Sequence, residues 1–142
     1  MRAMGLDVGT KTVGIAIADE LGFSAQPITT VRRTNIKADL AEVAKLITEY
    51  GVTQLIVGLA LNMNGSEGPR AEQCRKFGDA IAEAASLPVI YWDERLTSVA
   101  AEKALIEADV SRAKRKQVVD QVAAVLILQG WLESQSLARD TD

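Results

Sequence analysis

The 142-residue chain contains no histidine and a single cysteine, Cys74. The first absence excludes a Ser-His-Asp triad, a Cys-His pair and any histidine metal site. Acid–base chemistry would fall to carboxylates, lysine, tyrosine or a metal-held water. Any metal site would be built from oxygen, which favours magnesium or manganese. One cysteine forms no internal disulfide and no cysteine zinc site, which suits a reducing cytosol, and Cys74 reads as a small buried thiol. No apolar run is long enough to span a bilayer. The chain passes almost directly into a strand, with no signal peptide in view. A cytoplasmic protein without a membrane partner is therefore expected. No repeat, linker or low-complexity segment interrupts it, so one domain is expected over residues 1–138, with a short acidic tail at 139–142.

A hydrophobic content of 48% and a charged content of 25% fit a single core. The net charge of −3 argues against a generic polyanion binder. Charge is uneven, however. Arg112, Lys114, Arg115 and Lys116 cluster within Ser111–Gln117. Such a patch allows salt-sensitive contact with nucleic acid, and it equally suits a solvated helix start.

Strand alternation runs from Met4 to Val8 and again from Val13 to Ala18, joined by a short glycine-containing turn, which reads as an antiparallel hairpin. Ser24 to Val31 reads as a third strand, with Pro27 favouring an edge. Helical spacing covers Ile36 to Tyr50 and stops at Gly51. Gln54 to Leu59 reads as a strand, and Asn62 to Pro69 as a polar, mobile loop. Arg70 to Ala85 is helical, Val89 to Trp92 a strand, Thr97 to Glu107 a helix, and Ala113 to about Ser134 a long last helix. The order implies an α/β fold, a mixed sheet of five strands with helices on both faces.

Within GLDVGTKTVGIAIAD, Met4, Leu6 and Val8 share one face of the first strand, and Gly5, Asp7 and Gly9 share the other. The second strand opposes bulky Val13, Ile15 and Ile17 to small Gly14, Ala16 and Ala18. One face of the hairpin is thus nearly bare, and it carries an acid. On the last helix Asp120 opens a stripe with Ala124, Ile127 and Trp131, and Ala123 and Ala124 thin the helix beside it. A thin helix against a bare strand would bring Asp120 towards Asp7. In YWDERLTS, Asp93 and Glu94 follow an apolar strand, at the carboxyl end where open sheets form their crevice. Three converging carboxylates repel one another unless divalent cations join them. Two such ions suit in-line phosphoryl displacement without histidine. Taken singly, each acid also fits a plainer role as a turn anchor, a capped helix entry or a surface ion-pair partner.

These stretches resemble the YqgF/RuvX family of ribonuclease H-like proteins, described as Holliday-junction resolvases and as nucleases of precursor 16S ribosomal RNA. The resemblance runs nearly end to end, through GLDVGTKTVGIAIAD, VGLALNMNGSEGPRAEQCRKF, WDERLTS and VVDQVAAVLILQGWL. It implies a ribonuclease H-like fold and a metal-dependent nuclease, a hydrolase acting on ester bonds, with Asp7, Glu94 and Asp120 as catalytic and metal-binding acids. It implies Mg2+ or Mn2+ as cofactor, and nucleic acid as substrate: precursor ribosomal RNA, in the 5′-end processing of pre-16S RNA during ribosome biogenesis, or branched DNA. A ribosomal particle is an expected partner, and the chain is expected as a monomer or homodimer. Arg70, Arg95, Thr97, Lys114, Arg115 and Lys116 are the candidate substrate contacts. Ala60 stands where the family usually has proline, and Thr12 where it has a basic residue.

Two other classes compete. ATPases of the actin and sugar-kinase type share the Asp-x-Gly-Thr turn, but they need two domains and a second glycine-rich phosphate loop, which this sequence lacks. A non-catalytic RNA-binding module fits the net acidity, but it has no reason to crowd acids beside phosphates.

Overall fold

The computed structural model describes residues 2–95 and 112–140, with side chains described over 2–95 and 121–135. The alternation in Ala3–Val8 (β1) and Thr12–Ala18 (β2) divides the molecule into two layers around one sheet. Gly9 N donates to Thr12 O at 2.8 Å and closes the turn between them. Ala25–Arg32 (β3) adds to β2 antiparallel, while Gln54–Leu59 (β4) and Val89–Asp93 (β5) add in parallel on the far side of β1. The order is β3-β2-β1-β4-β5, the mixed five-stranded sheet expected. Pro27 lies on the edge strand, beside a register shift at Ile15/Ala16 where a missing N–H is tolerated.

The bulky face packs Met4, Leu6, Val8, Val13, Ile15 and Ile17 against Ile36–Tyr50 (α1) and Pro69–Ala85 (α2), whose Val43, Cys74, Phe77 and Ile81 complete that core. Asn35 caps α1 by accepting from Ala38 N at 2.9 Å, and Gly51, at φ 64°, ends it. Pro69 opens α2, where its missing N–H is harmless.

The small face packs Ala3, Ala16, Ala18 and Ile56 against the last helix, Arg112–Asp140 (α3), through Ala124, Ile127, Leu128 and Trp131. Helices thus cover both faces. The helix continues past the expected end near Ser134, to Asp140. The helix expected at Thr97–Glu107 lies outside the described residues. Among the described residues no helix is long and apolar enough to cross a membrane.

Candidate active site

Gly5 is the point of closest approach between β1 and α3. A Cβ there would stand 2.8 Å from both Ala124 O and Leu128 Cβ. Asp7 follows on the same face, two residues nearer the carboxyl end of β1, and is half-buried. In the sheet register Asp7 pairs with Gly14, and Gly14 with Thr30. Gln121 Nε2 donates to Thr30 Oγ1 at 3.0 Å, so α3 crosses the sheet near Gln121 at the row that holds Asp7. Residue 120 precedes that glutamine, one turn before Ala124. Its side chain lies outside the described set, as do Thr97 and the side chains of Lys114, Arg115 and Lys116.

Glu94 reaches the same place from β5. Glu94 N donates to Leu59 O at 3.2 Å, which extends the parallel pairing one step beyond the strand. Its carboxylate lies over Gly58, and a Cβ on that glycine would collide with Glu94 Oε2 and Ile127 Cδ1. The missing side chain is therefore the cradle of the carboxylate. Glu94 and Asp7 are joined by a side-chain hydrogen bond. Burial pushes the Glu94 carboxyl above its ordinary range, and the charge of Asp93 adds to this. The hydrogen bond with Asp7 and the Arg70 guanidinium pull the other way.

Two carboxyl groups joined by a hydrogen bond, half withdrawn from water and sharing one nearby cation, are a donor set suited to a hard divalent ion. The residues present therefore fit magnesium or manganese. Among the described residues no group of three metal-ligating side chains forms.

The candidate substrate contacts separate. Arg70, in the first turn of α2, donates through Nη2 to Val8 O at 3.2 Å, next to Asp7. Arg95 is engaged elsewhere. Its Nη2 and Nε hold Asp93 Oδ2 at 2.7 and 2.9 Å, and its Nη1 reaches Met63 O at 3.4 Å. It thereby ties the end of β5 to the loop after β4. That loop, expected to be mobile, is closed by its own bonds: Asn62 N to Ser66 O at 2.9 Å, Gly65 N to Asn62 O at 2.8 Å, and Ser66 Oγ to Asn64 Oδ1 at 2.6 Å. Cys74 is fully buried, and burial pushes its thiol pKa up, the inert state expected.

Two features escaped the sequence reading. One is the cradle at Gly58. The other is Asp39, the most buried acid described, at 2% exposure. It accepts from Arg33 Nε at 3.2 Å and from Thr34 N at 3.0 Å. An acid in the first turn of a helix reads as a dipole partner, and only its depth betrays the ion pair.

The family described as "RuvX: Holliday junction resolvase" matches residues 1–134. A protein of Myxococcus xanthus, named "Putative pre-16S rRNA nuclease", is 59% identical over 142 residues, covering 100% of this chain and 93% of its own. A protein of Heliobacterium modesticaldum with the same name is 54% identical, covering 96% and 91%. Among solved structures, Thermus thermophilus RuvC in complex with a Holliday junction substrate superposes with a TM-score of 0.62 at 15% identity, covering 96% of each chain. The Fowlpox virus resolvase bound to Holliday junction DNA gives 0.61 at 16% identity, covering 95% of this chain and 99% of its own. These two establish likeness of fold, the ribonuclease H-like arrangement. With the family matched over nearly its whole length and close relatives aligned end to end, the chain belongs to the RuvX (YqgF) family.

Proposed function

We propose that the protein is a magnesium- or manganese-dependent nuclease that hydrolyses phosphodiester bonds of precursor 16S ribosomal RNA, in the processing of its 5′ end during ribosome biogenesis. Family membership and the names of the close relatives support nuclease activity on this RNA. The observation that carries the reading to particular residues is the Asp7–Glu94 hydrogen bond over Gly58, on the face that α3 covers.

Asp7, Glu94 and Asp120 would hold the metal, and bound there it would activate water and stabilise charge on the scissile phosphate. Asp7 supplies its oxygens from a strand fixed by pairing on both sides, so they lose little order on binding. Glu94 is held by its backbone bond to Leu59 and by the space above Gly58. Arg70, tied to Val8 O, keeps a positive charge beside the pair and offsets the repulsion an approaching phosphate meets. Arg95 positions the 62–66 loop through Met63. Lys114, Arg115 and Lys116, at the start of α3, and Thr97 would extend contact along the strand. The protein would act in the cytoplasm, with a ribosomal particle as partner, as a monomer or homodimer.

Branched DNA is the second reading, favoured by the likeness of fold to two resolvases solved with junction substrates. End-labelled precursor ribosomal RNA and a four-way DNA junction are incubated separately with magnesium, manganese or chelator. Metal-dependent cutting of the RNA, lost in Asp7→Asn, is the expected result. Cutting of the junction alone selects the second reading. No cutting of either by the folded protein refutes both and leaves a binding module.

A further inference from the structure

Two consecutive carbonyls leave β1 directly after Asp7, and each anchors an arginine. Val8 O accepts from Arg70, and Gly9 O accepts from Arg33 Nη1 at 2.9 Å. Arg70 lends its charge to the acidic pair. Arg33 lies with Arg70 on the α1/α2 side of the sheet, where it pairs with Asp39 of α1, stacks on Phe77 of α2 and lines a cleft of about 440 Å³ together with Thr10, Asn35, Gln73 and Lys76.

The guanidinium of Arg33 is fixed before any ligand arrives. Its Nε holds Asp39 at 3.2 Å, its Nη1 holds Gly9 O, and its Cζ stands 5.2 Å from the centre of the Phe77 ring. Among the described residues those contacts do not use Nη2, and Arg33 lines the cleft. A pre-set guanidinium has already lost the side-chain freedom that binding otherwise costs. Lys76 adds an exposed ammonium, and Thr10, Asn35 and Gln73 add neutral polar groups. Among the described residues the one carboxylate on the cleft, Asp39, is consumed by Arg33 and Thr34. Cationic donors without a free anion select an oxyanion and repel a divalent cation. A tetrahedral phosphate matches the fork of Arg33.

We infer that this cleft takes a backbone phosphate of the nucleic-acid strand, next along from the scissile one, and so fixes the direction in which the strand crosses the acids. Thr10 lies three residues past Asp7, at most about 10 Å of extended chain. The cleft opens between α1 and α2, while the acids lie on the face covered by α3, so a phosphate in the cleft is a neighbour of the reacting group and not the reacting group itself. That the phosphate belongs to a polynucleotide rests on the nuclease reading above. The chemistry alone would also admit a free phosphate.

The test uses the full chain, a labelled short single-stranded RNA, and chelator to stop cleavage. Binding is followed by fluorescence anisotropy across a salt series. Lys76→Gln is compared with wild type and with Lys45→Gln, an exposed lysine on α1 outside the cleft. Lys76→Gln is expected to weaken binding severalfold and to lower the slope of log K against log salt by about 0.7, one single-strand phosphate contact. Lys45→Gln should change neither. Equal effects of the two variants, or no binding by wild type, overturn the inference. In a second arm inorganic phosphate is titrated while the amide signals of Thr34 and Asn35 are followed. A phosphate-induced shift lost in Lys76→Gln, with RNA binding untouched by that variant, makes the cleft a small-anion site and also overturns it. Failure of the nuclease reading looks different: RNA binding depends on Lys76, but wild type cuts nothing when metal is restored.

Discussion

Substituting Gly58 by alanine separates the site from the stability of the fold. The new Cβ would overlap Glu94 Oε2 and Ile127 Cδ1. Both atoms are the far ends of side chains. Glu94 is half-buried and can swing outward, while Ile127 is fully buried and must turn its terminal methyl within a packed core. Overpacking of this kind costs about 1–3 kcal/mol. Replacing a strand glycine returns roughly 0.5–1 kcal/mol through lost freedom of the unfolded chain. The net expected loss is about 1 kcal/mol, a fall of roughly 3 °C in Tm for a chain of this size. The effect on Glu94 is larger. Its carboxylate must retreat by roughly an ångström to reach ordinary van der Waals separation. A shift of that size in a reacting group costs on the order of a hundredfold in rate. Urea unfolding and cleavage of precursor RNA measure the two effects side by side. A Gly58→Ala protein that cuts at the wild-type rate would refute the placement of Glu94 over this glycine as a functional cradle.

Gly5→Ala should show the opposite balance. Its Cβ meets the backbone oxygen of Ala124 at 2.8 Å, an atom that moves only with the helix, so a loss of about 2–3 kcal/mol is expected in urea; an unchanged midpoint would mean that β1 and α3 do not meet there. Asp39→Asn removes the partner of an arginine whose side chain is 22% exposed, so the cost should fall below the 3–5 kcal/mol of a fully buried pair, at about 2 kcal/mol, read as a lower urea midpoint. The stability of the metal-free protein should also depend on pH through Glu94. Its carboxyl is raised above its ordinary 4.5, so as pH rises the unfolded chain releases that proton first. Folding is penalised increasingly from there to the folded pKa and by a constant amount beyond. Relative to Glu94→Gln, the metal-free wild type should lose stability across that window, and magnesium should restore more at neutral pH than at acid pH. A difference between the two proteins that does not vary with pH would mean that Glu94 is not desolvated.

What was legible in the sequence was whatever a single strand's own alternation determines. Met4, Leu6 and Val8 against Gly5 and Asp7, and Val13, Ile15 and Ile17 against Gly14, Ala16 and Ala18, gave the two faces, and the structure keeps both. Glu94 was legible as the residue just past an apolar strand. Relations across elements were not. Gly58 reads as one more small residue in a buried strand until the register of β4 with β5 sets Glu94 over it. Arg33 and Asp39 are six positions apart, on either side of the Asn35 cap, a separation that carries no periodic signal. The loop at 62–69 reads as mobile from its glycines and amides. Those same amides close it, because Asn62 and Asn64 bond inward to Ser66.

The two faces of the sheet serve different requirements. Large side chains fill the α1/α2 side, where Phe77, Met4 and Leu6 are fully buried and shape complementarity stabilises the fold. The α3 side holds alanine and glycine at its closest contacts, which forgoes much of that apolar burial. Its gain is proximity: a backbone separation short enough for acids from β1 and β5 to meet beneath a third element. A larger residue at Gly5 or Gly58 would add apolar area and push those elements apart. The bare face thus lets α3 close on β1 over the proposed site, and it places Asp7, inside a strand of apolar neighbours, where a second carboxylate can reach it.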